Sequence, residues 1–284
     1  MQAKELYTKL DADFQISQRK DDWEGIDLGD FIHPEFLQKY MGLVLDNSTQ
    51  IEKVFTAVFP SEAVLSKILD SGEQNVLLFT HHPRIWDIKL AGYPFKDITS
   101  QRLQQLKDNH VSLYTLHVPL DKNGPYGTSV NLAKALGVSQ ESEFCDYFGV
   151  KVGVIGRISL TTIDELAKKC ESVLGHAVKA HLYGDSTIKD GRVAVVAGGG
   201  NMPEIITELH SLGINTYVTG VTRQVEAYQP SVDFHRLAQE HRINVLGGTH
   251  YSTEKFACLA MVEYFQKLGL PTEFLPDESD PADL

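Results

Sequence analysis

The feature that most restricts how this chain can fold is a short run, Val76-Leu77-Leu78-Phe79-Thr80, which is apolar with no polar alternation. A strand of that kind needs cover on both faces, and parallel sheets flanked by helices supply it. The residues before it complete the unit. Val54-Phe55-Thr56-Ala57-Val58-Phe59 is β-branched and aromatic and reads as a strand. Pro60-Ser61 then opens a helix with Val64, Leu65, Ile68 and Leu69 on one face and Gly72 as its stop. Strand, helix, strand in this order predicts an α/β fold.

Further along, two stretches resemble each other. Leu103–Asp121 reads as helix, strand (Val111–Leu116), then His117-Val118-Pro119-Leu120-Asp121; Phe234–Glu254 reads as helix, strand (Ile243–Leu246), then His250-Tyr251-Ser252-Thr253-Glu254. Each ends in a histidine followed four residues later by a carboxylate. Val76–Thr80 before His81 likewise matches Asn215–Thr219 before Gly220. This self-similarity predicts an internal duplication. Between the halves lie further strands (Val152–Gly156, Val193–Ala197) and helices (Ile163–Leu174, and one from Pro203). The expected architecture is two α/β lobes: residues 1–127 plus 230–284 as a metal-binding lobe, and 128–229 as a second lobe inserted into it. The tail Leu275–Pro281 is acidic and proline-containing, and is expected to fray into solvent. The segment from Gln15 to Asp30 shows no period and supports no assignment.

A net charge of −12 disfavours nucleic acid as partner, since that needs clustered cations, but bound metal can still draw a small anion. No apolar run approaches the ~18–20 residues of a membrane span. The opening Met1–Tyr7 lacks signal-peptide order, so cytoplasm is the expected location. Three widely spaced cysteines, Cys145, Cys170 and Cys258, suggest neither a disulfide framework nor a thiolate site.

The chemistry concentrates at strand ends. Inside a strand the neighbours His81 and His82 would face opposite sides. At a strand end turned by Pro83, both can face the crevice where α/β sheets bind ligands. Glu254 lies four residues after His250 at a helix start that Ser252 or Thr253 can cap, so the two side chains project to one side. Asp121 joins them as an acidic group after the third strand. For each of these the alternative is ordinary: solvated loop histidines, a helix-dipole glutamate, a turn aspartate. Together they supply only nitrogen and oxygen donors, in a number that suits two divalent ions. Such donors without thiolate fit Zn, Fe or Mn.

These motifs resemble the NIF3-like (DUF34) family, whose bacterial members are often labelled GTP cyclohydrolase 1 type 2. The resemblance runs from about Lys53 to Gly269 and rests on Thr80-His81-His82-Pro83, His117-x-x-x-Asp121 and His250-Tyr251-Ser252-Thr253-Glu254, with support from Gly198-Gly199-Gly200-Asn201 and Tyr217-Val218-Thr219-Gly220. It implies a NIF3-like fold in which His82, Asp121 and Glu254 hold one metal, and His81, His250 and Glu254 the other, with Glu254 bridging. His117 becomes a supporting or occasional ligand. It also implies a toroidal homo-hexamer. The chain departs from the family where an Asn-Gly-Leu-Gln-Val-like stretch is usual, keeping only Gly42-Leu43. It has Val221-Thr222-Arg223-Gln224 where many members carry an acidic residue and a histidine.

The expected function is therefore metal-dependent hydrolysis of a nucleotide or other small phosphorylated substrate, with no catalytic residue beyond the metal centre. The alternative is a non-enzymatic metal-binding scaffold, metal carrier or regulatory protein; the acidic balance disfavours a nuclease. The glycine turn at Gly198 matches neither a Walker A loop nor G-x-G-x-x-G. It reads as a tight structural turn, with a phosphate contact as the alternative. Tyr251 reads as a rim aromatic, and Arg84 and Trp86 as cover.

Overall fold

The run Val76–Thr80 (β3) is the middle strand of a five-stranded sheet with Gly42–Leu45 (β1), Lys53–Ala57 (β2), Val111–Thr115 (β6) and Thr272–Phe274 (β13), in the order β1-β6-β3-β2-β13. All pair in parallel except β1, which runs antiparallel to β6. The computed structural model describes every residue except Ala91. This sheet belongs to a first compact unit, Met1–Leu120 with Cys258–Asp277. All five residues of β3 are buried, as its unbroken apolarity requires. The helix Glu62–Ser71 begins where Ser61 accepts a hydrogen bond from the Val64 N–H, and it ends at Gly72 in the left-handed conformation (φ 69°). It buries Val64, Leu65 and Ile68 in the core that also holds Leu78, Leu103, Leu106 and Leu113. A small hairpin, Ile85–Trp86 (β4) with Phe95–Lys96 (β5), follows the histidine pair.

The second unit is Asp121–Ala257 with Glu278–Leu284. Its six-stranded sheet runs Ser139–Tyr147 (β7), Val150–Arg157 (β8), Arg192–Val196 (β10), Thr216–Thr219 (β11), Asn244–Gly247 (β12) and Lys179–His181 (β9) from edge to edge. The central three strands, β10, β11 and β12, are parallel. Helix Ile163–Leu174 starts with a capping box between Thr162 and Glu165, as its sequence predicts. Its apolar face packs against the strands through Leu166, Cys170 and Leu174.

The boundary between units differs from the expected one. Residues 230–257 do not return to the first unit, because β12 pairs with both β11 and β9 and all four of its residues are buried in the second sheet. Only Cys258–Asp277 returns, delivering β13 to the free side of β2. The tail is also ordered rather than frayed. Leu275 donates its N–H to Thr56 and is buried, and Asp283 is 1% exposed. Among the described residues, no helix is long and apolar enough to cross a membrane.

Candidate metal centre

In the first unit the parallel register does most of the positioning. Thr80 on β3 lies opposite Thr115 on β6, so His81-His82 and Leu116-His117 leave the sheet side by side at strand C-termini. The exit is pinned by hydrogen bonds. His81 and His82 donate their N–H groups to the carbonyls of Ala57 and Val58 (3.2 and 3.0 Å), Leu116 donates to Thr80 (3.1 Å), and the Thr115 hydroxyl donates to the His81 carbonyl (2.9 Å). The Thr80 hydroxyl reaches the His82 carbonyl (2.6 Å). Both imidazoles are buried, with ring centroids 4.3 Å apart. His117 joins them, 5.1 Å from His81 and 4.8 Å from His82 by ring centroid. One ligand nitrogen of each of the three lies within 4.8 Å of the other two.

The His81 tautomer follows from its partner. Its Nδ1 lies 2.9 Å from the Leu116 carbonyl, which can only accept, so the proton sits on Nδ1 and the lone pair on Nε2. Aromatic rings pack around the cluster. Phe59 stacks on His82 (4.7 Å, 22°), and Trp23 stands edge-on to both His82 and His117.

In the second unit three parallel strands end in glycine-bearing turns at Gly198, Gly220 and Gly248. Thr249, rather than Ser252 or Thr253, caps the following helix, His250–Lys267: its hydroxyl accepts from the Ser252 N–H (3.1 Å), and the Ser252 hydroxyl accepts from the Thr249 N–H (3.1 Å). The helix therefore begins at His250, which places Glu254 one turn on and on the same face. His250 Nε2 and Glu254 Oε1 are 3.1 Å apart, both side chains buried. Asp283 completes this helix start from the tail, its Oδ2 accepting the His250 N–H (2.8 Å). Asp121, at the end of the short helix Val118–Asp121, accepts from the Thr128 hydroxyl (3.2 Å), and one of its carboxylate oxygens lies within 4.8 Å of one of Glu254.

The glycine turn is a cradle for this pair. Gly198 has φ +74°, and a Cβ there would strike the Glu254 carboxylate and stand 3.2 Å from His250 Nε2. Its N–H is taken by the Thr253 hydroxyl (3.0 Å) and its carbonyl by the Gly220 and Val221 N–H groups (3.1 and 3.0 Å). The turn is thus built to seat the glutamate. Tyr251 is buried rather than at a rim. Arg84 is tied to Asp97 (2.7 Å), and Trp86 packs on Phe59 and Phe95, so both act as cover.

Sequence reasoning missed Asp21, Trp23, Gly198's role and Asp283. Asp21 is buried, with Oδ2 2.8 Å from His117 Nδ1 and Oδ1 accepting from the Asp22 N–H (2.8 Å). Burial alone would push its carboxyl up. The neighbouring His117 and the hydrogen bonds from His117 and the Asp22 N–H outweigh that and hold it below the usual carboxylate range. Asp21 and Trp23 lie in a stretch without periodicity, so no pattern marked them.

The Duf34/NIF3 (NGG1p interacting factor 3) family matches residues 28–281. The chain belongs to the DUF34/NIF3 family. Among its DUF34/NIF3 relatives, the "GTP cyclohydrolase 1 type 2 homolog" of Archaeoglobus fulgidus is 30% identical over 237 residues, covering 82% of this chain and 87% of that protein. The protein of the same name from Deinococcus radiodurans is 27% identical, covering 82% and 83%. In fold the chain is similar to the solved structure of protein ybgI, titled as of unknown function, at a TM-score of 0.76 and 22% identity over 99% of this chain and all of that one. A Thermus thermophilus protein gives 0.69 at 25% identity over 98% and 99%. The DUF34/NIF3 motifs quoted from the sequence therefore sit on a matching α/β framework.

Proposed function

We propose that this DUF34/NIF3 protein is a metal-dependent hydrolase that binds two divalent ions per chain through His81, His82, Asp121, His250 and Glu254, with Glu254 shared. The observation that carries the reading is the chemistry of the donors: buried imidazoles and carboxylates at strand ends, held in place by hydrogen bonds. The Leu116 carbonyl turns the His81 lone pair to Nε2, and Gly198 leaves room that the Glu254 carboxylate fills. Two ions so held would acidify a water molecule and polarise a C=N, C=O or phosphoryl group of the substrate. The chain's own part is to fix these donors, to keep Asp121 turned by Thr128, and to exclude bulk water with Phe59 and Trp23.

Thiolate plays no part: Cys258 donates to the Ala57 carbonyl, and Cys170 is buried, its thiol pushed up to about 12 by burial. Zn, Fe or Mn suits the remaining nitrogen and oxygen donors. The name borne by the relatives supports a nucleotide, or another small phosphorylated molecule, as substrate. A toroidal homo-hexamer working in the cytoplasm completes the proposal. The test is a panel of nucleotides and phosphate esters given to metal-loaded protein. Turnover that His250→Ala and Glu254→Gln abolish supports the reading. Metal held without any turnover would refute hydrolysis and mark a binding scaffold instead.

A further inference from the structure

Cover accounts for only part of Arg84. The chain leaves β3 through His81-His82-Pro83, and the next side chain is a guanidinium on a residue only 8% exposed. A charge taken so far from water is costly unless partners fill its hydrogen-bonding positions. Here they are largely unfilled. Nε stands 2.7 Å from Asp97 Oδ1, yet neither atom has a hydrogen-bond partner, so the contact is an ion pair without a directed N–H···O bond. Among the described residues, no carboxylate or backbone carbonyl accepts from the two terminal amino groups. Asp97 is itself fixed, its Oδ2 accepting the Asp27 N–H (3.2 Å), so the guanidinium is anchored while its donors stay open. Its other neighbour is Tyr93, in the turn of the β4–β5 hairpin, with the ring centroid 5.3 Å from the guanidinium carbon. Tyr93 is 51% exposed. Burial raises its phenol more than the Arg84 charge lowers it, so the hydroxyl keeps its proton at neutral pH and can donate.

The place of this pair gives it a use. Arg84 lies two residues after His82, so their Cα atoms are at most ~7 Å apart. Phe95 links the same region, its ring centroid 5.3 Å from that of Tyr93 and 5.4 Å from that of His82. A planar guanidinium with open donors matches the oxygens of a phosphate group, which it can grip through two N–H groups at once. We propose that Arg84, with the Tyr93 hydroxyl beside it, holds the phosphate group of the substrate and makes the site selective for phosphorylated molecules. This inference rests on the phosphorylated-substrate part of the proposed function and assigns that preference to named residues of the first unit. Its readout is binding, so it stands or falls without reference to turnover.

The experiment titrates the metal-loaded full chain, by calorimetry, with inorganic phosphate and with phenylphosphonate, a phosphate-ester mimic without the bond a hydrolase would cut. Wild type is expected to bind the mimic at least as tightly as inorganic phosphate. Arg84→Gln should bind the mimic roughly 10–100-fold more weakly, as expected for lost charge-assisted hydrogen bonds. Arg84→Lys keeps the charge without the fork and should recover only part of that loss. Tyr93→Phe keeps the ring and removes the hydroxyl, for an expected loss of roughly 2–10-fold. Circular dichroism establishes that each variant is folded, and the half-exposed Tyr93 decides the matter if the Arg84 variants do not fold. Elemental analysis of each sample keeps the metal reading separate: the expected metal content is the same in all of them. Ions held and the mimic bound without any turnover would sink the hydrolase reading and leave this inference standing. A purely structural Arg84 would lower the melting temperature while leaving affinity for the mimic unchanged. That outcome, unchanged affinity in Tyr93→Phe, or a wild type that binds inorganic phosphate but not the mimic, or neither, overturns the proposal.

Discussion

Replacing Gly198 by alanine separates a glycine turn that seats Glu254 from one that cradles a ligand phosphate. The new methyl would sit at φ +74°, a region that costs an L-residue ~1–2 kcal/mol. It would also meet the Glu254 carboxylate, and overpacking a buried site adds ~1–3 kcal/mol. The sum is about 2–5 kcal/mol. Gly199 supplies the control within the same turn: a Cβ there meets nothing within 4 Å and needs no positive φ. Alanine at Gly199 should shift stability by no more than ~0.5 kcal/mol, or stabilise slightly by restricting the unfolded chain. Thermal denaturation in the presence of a chelator keeps metal out of the comparison. Gly198→Ala should melt at least ~4 °C below Gly199→Ala, from ~2–4 °C per kcal/mol for units of this size. Metal content of separate, natively purified samples should fall in Gly198→Ala only. Equal melting temperatures and equal metal content in the two variants would refute the cradle.

Asp283→Ala removes the buried carboxylate that accepts the His250 N–H at the start of the long helix. A loss of ~1–2 kcal/mol by denaturant titration, with weaker metal retention, is expected; an unchanged midpoint would show that the tail does not support the helix. Acid should weaken the second unit through His181, whose pKa is brought down to about 4, first by burial and then by the charge of His235. Its folded pKa lies below the unfolded ~6.5, so its stabilising effect is whole above that pH and is lost as pH falls toward about 4. The full shift corresponds to ~3.4 kcal/mol, but the ring is only half-buried, and screening leaves on the order of 1–2 kcal/mol. His181→Gln should lose that much less stability than wild type between pH 7 and pH 4, and parallel stability curves would contradict the assignment.

The strands and their helices were legible because their residues repeat a physical rule. Unbroken apolarity at Val76–Thr80 marked a strand covered on both faces, and Thr162 with Glu165 marked a helix start. The candidate histidines and carboxylates were legible because His81-His82 precedes a proline and because His250 and Glu254 are one helical turn apart. What the sequence hid depends on distance along the chain. Asp21 meets His117 across 96 residues and Asp283 meets His250 across 33, through loops that carry no period. The misplaced segment 230–257 has the same origin. Its likeness to Leu103–Asp121 is real at the level of helix, strand and histidine, but which strand it pairs with is decided by β11 and β9, and pairing leaves no local mark. Thr249 as the cap was hidden behind Ser252 and Thr253, because three hydroxyl residues stand close together and each satisfies the composition.

The central claim, a two-ion centre that shares Glu254, is tested most directly by elemental analysis of natively purified protein, wild type beside Glu254→Ala. About two ions per wild-type chain are expected from a two-metal ligand set, falling to one or none in the variant. An unchanged metal content in Glu254→Ala would contradict the shared centre.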